Sequence, residues 1–533
     1  MIGSIRGTRG IAVAPHALAA QSAIDVLRDG GNALEAMIAA AATIAVVYPH
    51  MNSIGGDAFW LMHVPGHAPG VIDGSGAAAN AASIDWYRAQ GIQQNIPFRG
   101  GLAANTVAGA VASWEAAYRL SRRALRGRMP LARLLEDAIH YAERGYPVSA
   151  SQALCTENHK AELFTQPGFA RTFLVNGEAP APGTVIAQKA LGATLRRIAK
   201  TGAGDFYRGE LARLIAEDLA AVGSPLSLED LAAHHAQLRD PLSLRTRAGM
   251  LYNTPPPTQG LISLLILGIL DELHVSTAGV ASAEYVHLCV EATKRAFQVR
   301  ELYITDPAYM KIEPSKLLNS ALIRELAANI DRRHAVPWGE SAAPSDTVWM
   351  GVVDRSGLAV SFIQSIYHEF GSGLVLENTG ITWQNRGCSF ALNPQALNAL
   401  LPGRKPFHTL NPAAAALRDG RVIVYGTMGG DGQPQTQAAI FTRMVAYGMS
   451  PQVAVTEPRW LLGRTWGGGS LTLKLESRFD LGIVRQLTEW GHEMEILGPY
   501  DENMGHAGAI VCYPNGVLEG GADPRGDGVV AAY

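Results

Sequence analysis

The stretch RRHAVPWGESAAPSDTVWMGVVDRSGLAV, residues 332–360, changes character in its middle. Its first half, 332–346, is rich in Ala, Pro, Ser and Gly and has no periodicity, as befits an exposed linker. From Thr347 onward β-branched and apolar residues dominate, and Asp354-Arg355-Ser356-Gly357 supplies the residues of a tight turn, so the second half reads as a β-hairpin. A linker that ends abruptly at a threonine opening a strand suggests a processing site, although an ordinary interdomain loop would look the same.

Downstream of this point the pattern stays strand-like. LAVSFIQSI (358–366), GITWQN (380–385), RVIVYG (421–426), SLTLKL (470–475) and GAIVCY (508–513) are each predicted as short strands. Upstream, helical periodicity dominates. A short apolar segment at 11–14 precedes a helix over 17–28, which Gly30 and Gly31 stop. Asn32 with Glu35 three residues on resembles an N-cap box for the following helix, which is apolar nearly all round and therefore belongs in a core. Further helices are expected over 111–125, 130–144, 189–200, 210–222 and 282–302, so the first 330 residues should be mostly helical.

Composition narrows the function classes. Of the 533 residues, 47% are hydrophobic and only 17% charged, against roughly 25% charged in an average soluble domain, so most of the chain is packed and disorder is excluded. Length alone would suggest several ordinary domains. The 57 glycines cluster in short motifs and read as tight turns and close backbone approaches. A net charge of −3, with 44 scattered Lys and Arg, gives no basic field for a phosphate backbone, so nucleic acid is not an expected partner. Cys155, Cys289, Cys388 and Cys512 are far apart and form no CxxC pair, which argues against a disulfide framework or a cysteine metal site and fits a reducing cytoplasm. The start, MIGSIRGTRG, lacks an apolar signal region, and the apolar run 36–47 is too short to cross a bilayer. A cytoplasmic protein with no membrane partner is expected. His234-His235 has no ligand partners at metal-binding spacing, so neither metal nor cofactor is expected. There is no G-x-S-x-G, no phosphate-loop lysine motif and no H-E-x-x-H.

Seven segments resemble, in order, the γ-glutamyltransferase family of N-terminal-nucleophile hydrolases: DGGNALEA (29–36), IGGDAF (54–59), NTVAG (105–109), PPPTQG (255–260), DTVWMGVVDRSGLAV (346–360), FGSG (370–373) and GTMGGDG (426–432). Together they cover essentially the whole chain. The resemblance implies an α+β fold, a four-layer αββα sandwich built from two self-cleaved fragments. The large fragment, 1–346, would end in the processed linker, and the small one, 347–533, would be intertwined with it in one domain. By the same resemblance, cleavage falls between Asp346 and Thr347 and makes Thr347 the nucleophile. Gly429 and Gly430 match the pair whose N–H groups form the oxyanion hole, and Ser365 falls where the family keeps a hydroxyl beside the nucleophile. Taken alone, the glycine pair would read as a tight turn after RVIVYG, and Ser365 as a hydroxyl satisfied within its strand.

The chemistry requires these residue types. A threonine hydroxyl is a weak nucleophile without a base. An N-terminal threonine carries one, because its own α-amino group titrates near ~7.7–8.0 and can accept the hydroxyl proton. Within a peptide that nitrogen is an amide and not basic, so the residue must first be freed.

The resemblance also has gaps. The family holds the amino acid end of a γ-glutamyl donor with an arginine, a Ser-Ser pair, and an Asn, a Gln and an Asp, but the matching positions here are Ser75, His408-Thr409, Tyr367, Arg386 and Ser389. With the clamp for an amino group missing and a guanidinium suited to a carboxylate gained, the expected substrate is a small anionic amide, its charged end on Arg386. Taken singly, Arg386 could equally be a structural salt bridge, and Tyr367 and His408 core packing. In these substitutions the chain resembles the oxamate amidohydrolase branch of the family, which is associated with urate and allantoin degradation. A γ-glutamyl hydrolase or transferase acting on a glutathione-type substrate is the alternative, and a catalytically silent relative the second. A homodimer is compatible with all three.

Overall fold

The computed structural model describes residues 3–339, 346–463 and 470–533, and of Asp346 the backbone only. Two seven-stranded sheets, each antiparallel throughout, form its centre. One runs, edge to edge, Ile5–Gly7, Leu518–Ala522, Ala507–Cys512, Val422–Thr427, Ala413–Leu417, Gly249–Asn253, Leu242–Arg245. The other runs Val529–Ala532, Gly10–Ala14, Asp346–Asp354, Ala359–Tyr367, Asp57–His63, Gly70–Gly74, Gln237–Arg239.

The strand Asp346–Asp354 shows why the layers stack. Its residues alternate as a pleated strand requires: Val348, Met350 and Val352 face a helical layer, whereas Trp349 and Val353 face the opposite sheet, where Ala414, Val424 and Ile510 meet them. Helices Ala17–Arg28 and Ala33–Val47 back this sheet, and Gly260–Glu272, Ala283–Tyr303 and Gly432–Val445 back the other. The order is helix, sheet, sheet, helix, the αββα sandwich expected. Asn32 does cap Ala33–Val47: its side chain accepts from Glu35 N at 3.0 Å, while Glu35 returns a carboxylate to Asn32 N at 3.0 Å. All fifteen residues of that helix are buried.

Three expectations need correction. GITWQN forms no strand; it joins neighbours only through the bridges Val375↔Thr382 and Gly55↔Trp383. Its β-like composition reflects burial, since Ile381 and Trp383 are fully enclosed, and its amides serve loops, Gln384 N donating to Gly55 O at 3.0 Å. The helix expected over 130–144 breaks at Leu135 into Leu131–Leu134 and Glu136–Arg144. The first 330 residues, although largely helical, also supply half the strands of the two sheets. Asp57–His63 is buried along both faces except at its end, so it has none of the alternation that marks a half-exposed strand. Residues 332–339 carry no regular element, and 340–345 of the expected linker lie outside the described residues. Among the described residues no helix is long and apolar enough to cross a membrane.

Candidate active site

Thr347 is the second residue of the central strand Asp346–Asp354. It is fully buried, and its hydroxyl has no hydrogen-bond partner among the described residues. The register with Ala359–Tyr367 slips at this residue: Asp346 pairs with Tyr367, but Val348 pairs with Gln364, so Ser365 and Ile366 together face Thr347. Such a bulge re-aims side chains. The bulged strand ends in Tyr367 at φ 83°, a left-handed conformation rare outside glycine. The Tyr367 N–H turns back to donate to Ser365 Oγ at 2.8 Å.

Arg386, which opens the short helix Arg386–Ser389, donates from Nη2 to the same Ser365 Oγ at 3.0 Å. Its guanidinium lies 4.3 Å from the centroid of the Tyr367 ring, a cation–π contact. The side chain is wholly buried, and Nε and Nη1 have no partner among the described residues. Burial lowers its pKa to about 10, against the charge of Asp57, so it remains a cation at neutral pH. A buried cation with two unused donor nitrogens is costly unless an anion completes it. Ser389, at the end of the same helix, also has a buried Oγ without a partner.

Asp57 is a site residue to which the sequence reading gave no role, although IGGDAF contains it. It pairs directly with Ser365 across Asp57–His63 and Ala359–Tyr367. Oδ1 accepts from Gly76 N and Gly109 N, each at 3.0 Å, whereas Oδ2 has no partner within hydrogen-bond distance among the described residues. Burial pushes its pKa up to about 7, opposed by the Arg386 charge, the two backbone donors and the Gln384 side chain. The signal available was a carboxylate next to two glycines at the head of an otherwise apolar run. Its Oδ2 lies 3.7 Å from His408 Nε2, beyond hydrogen-bond reach. His408 is fully buried with both ring nitrogens unpartnered and packs edge-on against Phe59. Burial, reinforced by Arg386 and Lys405, holds its pKa well below the usual range, so the ring is neutral. Thr409 is buried beside it. Ser75 is drawn away, its hydroxyl donating to Asp73, which in turn binds Lys405 Nζ at 3.0 Å.

The glycine loop follows strand Val422–Thr427. Gly429 has φ 113° and Gly430 φ 51°, and among the described residues neither N–H has an acceptor. Gln259, from the PPPTQG segment, anchors the loop by donating to Thr409 O and Gly430 O, both at 2.9 Å. Arg300 fixes Gln259 and Asp431 together, at 3.2 and 2.8 Å. The packing of the two sheets gives the loop's position relative to Thr347. A Cβ on Gly351 would meet Ile510, and Cβ atoms on Gly508 and Gly426 would collide with Trp349; Ile510 pairs with Val424, and Gly508 with Gly426. Each step back along Asp346–Asp354 is thus a step forward along Val422–Thr427. Thr347 precedes Trp349 by two residues, as Met428 follows Gly426 by two.

Far from this site in sequence, His287, Glu291 and His492 come together. They are mutually satisfied: His287 Nδ1 and His492 Nε2 share a 2.8 Å hydrogen bond, and Glu291 holds Lys294 Nζ at 2.7 Å.

The model of a family described as gamma-glutamyltranspeptidase matches residues 19–533. The oxamate amidohydrolase proenzyme of Klebsiella pneumoniae is 57% identical over 526 residues, covering 99% of both chains. The glutathione hydrolase-like YwrD proenzyme of Bacillus subtilis is 43% identical over 526 residues, 98% of both. Among solved structures, the cephalosporin acylase from Bacillus halodurans superposes with a TM-score of 0.91 at 33% identity, covering 100% of this chain and 97% of that one.

Proposed function

This chain belongs to the gamma-glutamyltranspeptidase family, and within it we propose a self-processing amidohydrolase that converts oxamate to oxalate and ammonia, a step of urate and allantoin degradation in the cytoplasm. Cleavage between Asp346 and Thr347 would divide the chain into fragments 1–346 and 347–533. The Thr347 hydroxyl attacks the Asp346 carbonyl carbon and its proton passes to the Thr347 nitrogen as the C–N bond breaks, so that the peptide bond becomes an ester and the α-amino group is freed; water then opens the ester, releasing the Asp346 carboxylate and the hydroxyl. In turnover that amine takes the hydroxyl proton as Oγ bonds to the amide carbon. The Gly429 and Gly430 N–H groups receive the developing oxyanion, a donor arrangement of which each member typically supplies about 3–4 kcal/mol. The amine then gives its proton to the departing nitrogen, ammonia leaves, and water hydrolyses the ester. Ser365 orients the nucleophile; Arg386 holds the substrate carboxylate, with Tyr367, His408, Thr409 and Ser389 shaping the rest of the pocket.

The observation that carries this reading is Arg386: a buried guanidinium with two unused donor nitrogens, tied through Ser365 to the strand position facing Thr347. The 57% identity to an oxamate amidohydrolase proenzyme supports an amide bonded directly to a carboxylate as the substrate. The test compares ammonia release from oxamate with anilide release from a chromogenic γ-glutamyl anilide, after intact mass has established cleavage. Faster turnover of the anilide would favour the glutathione-type alternative, for which the YwrD relative's name speaks. A single uncleaved chain without activity would leave a catalytically silent relative.

A further inference from the structure

An anion pocket built around one buried cation is least costly when its charges balance, empty or filled. With substrate absent, the carboxylate whose charge acts on Arg386 among the described residues is Asp57. It stands directly opposite Ser365 in the sheet, and side chains so paired have Cβ atoms about 4.5–5.5 Å apart. Ser365 carries Arg386 on its hydroxyl, so carboxylate and guanidinium flank the same residue. Asp57 cannot swing away, because Gly76 N and Gly109 N hold one oxygen and a Cβ on Gly56 would overlap Ser365 O. Its second oxygen is buried and has no partner within hydrogen-bond distance among the described residues.

Among the described residues no other side chain takes over the charge; the α-amino group that cleavage frees on Thr347 also faces Ser365 and, titrating near ~7.7–8.0, adds its own pH dependence to turnover. His408 is neutral and 3.7 Å away. Tyr207, from the helix Asp205–Arg208, spends its hydroxyl proton on Ala108 O at 2.8 Å, and Gln384, which donates to Val107 O at 2.8 Å and also acts on Asp57, carries no charge. Lys405 is held by Asp73. Tyr367 and Cys388 beside Arg386 are kept protonated by burial. Arg386 is the cation whose field reaches Asp57.

We propose that Asp57 is the internal counter-charge of the pocket: it balances Arg386 in the empty enzyme and takes up one proton when a small carboxylate binds there. Two buried anions on one guanidinium would leave a net charge in a dry site, which costs several kcal/mol; protonating Asp57 removes it. The carboxyl already titrates at about 7 in the absence of ligand, so the proton is supplied near neutrality. Below that pH the pocket is ready for an anion. Above it, affinity falls about tenfold per pH unit, the linkage of a single proton. A neutral diamide brings no charge and escapes this dependence.

The inference rests on the short-anionic-amide reading above, so binding and turnover are measured separately. For the mature enzyme, KM for oxamate should be flat from pH 6 to 7 and rise about a hundredfold by pH 9, while KM for oxamide stays level. Asp57→Asn should remove most of that rise. Calorimetric titration of wild-type enzyme with oxalate, a dianion, at pH 8 in two buffers of different ionisation enthalpy should show at least one proton taken up per site, and Asp57→Asn should take up one fewer; the wild-type uptake is read even if the variant fails to fold. Oxalate binding without proton uptake, no oxalate binding, or an Asn variant whose oxamate KM climbs in parallel with wild type would overturn the role of Asp57. Proton-coupled oxalate binding with no ammonia from oxamate would instead retain Asp57 and remove the amidohydrolase reading.

Discussion

Thr347 joins a buried, unpartnered hydroxyl to a nitrogen that is an amide until the chain is cut. Thr347→Ala removes both the attacking atom for self-cleavage and the nucleophile for turnover. The expected product is one chain of 56.7 kDa by intact mass, with no ammonia from oxamate. Arg386→Ala separates the two reactions, because the guanidinium meets the substrate carboxylate and not the Asp346 peptide. Cleavage should persist, while KM for oxamate rises about 10- to 100-fold, the loss of a charge-assisted hydrogen bond worth ~1.5–3 kcal/mol. An unaltered KM would place the carboxylate elsewhere. Asp57 also leaves a trace in stability. Its folded pKa of about 7 lies above the ordinary 3.8, so the folded protein holds more protons between those values and loses stability as pH rises through them. Asp57→Asn should therefore gain melting temperature relative to wild type at pH 8 but not at pH 4, as thermal scans of both proteins would reveal. A pH-independent difference would contradict the buried titration.

The loop after Val422–Thr427 works through backbone conformation. At Gly429, φ 113° is a region that L side chains avoid. A Cβ there would touch only Gly505 Cα at 3.4 Å, so the obstacle is the backbone and not a clash. Gly429→Ala should tilt the donor N–H and lower kcat for oxamate about 100- to 1000-fold, the usual effect of losing one oxyanion donor, with only a small fall in melting temperature. A near-normal kcat would show that the pair does not serve the oxyanion. How legible such elements were in the sequence depended on whether their signal is local. The cap at Asn32 and the helices 17–28 and 210–222 were readable, because capping and 3.6-residue periodicity are properties of neighbouring residues. Asp57–His63 and Gly70–Gly74 were not, since strands buried on both faces look like any apolar run. GITWQN misled for the converse reason: enclosed loops are as apolar as strands. Thr347, Arg386 and the glycine pair emerged only through resemblance, and the role of Asp57 depends on a cross-strand register that no linear pattern contains.

At the scale of the molecule, strands from before and after residue 346 are interleaved. Asp346–Asp354 lies between Gly10–Ala14 and Ala359–Tyr367, and Val422–Thr427 between Ala413–Leu417 and Ala507–Cys512, with Gly249–Asn253 beyond. The face between the sheets is shared in the same way, Ile11, Val13, Phe59 and Leu61 packing against Val424, Ile510 and Leu518. If the chain is cut at residue 346, no sheet loses a hydrogen-bonded neighbour, because the break lies at a strand's first residue. The two fragments should therefore stay together: gel filtration under native conditions should give one species of 56.7 kDa or a multiple of it, while a denaturing gel gives two bands. Trp349 is where this interlock is tightest, its ring lying where Cβ atoms on Gly426 and Gly508 would collide with it. Gly426→Ala forces a methyl group into that contact, and overpacking of this kind costs about 1–3 kcal/mol. Because Thr347 and the glycine loop are aligned through the same contact, the variant should process slowly as well as melt earlier. Time-resolved intact mass after expression would follow the first effect and thermal scans the second. Wild-type processing in a destabilised variant would mean that the sheet-to-sheet register does not align the cleavage site.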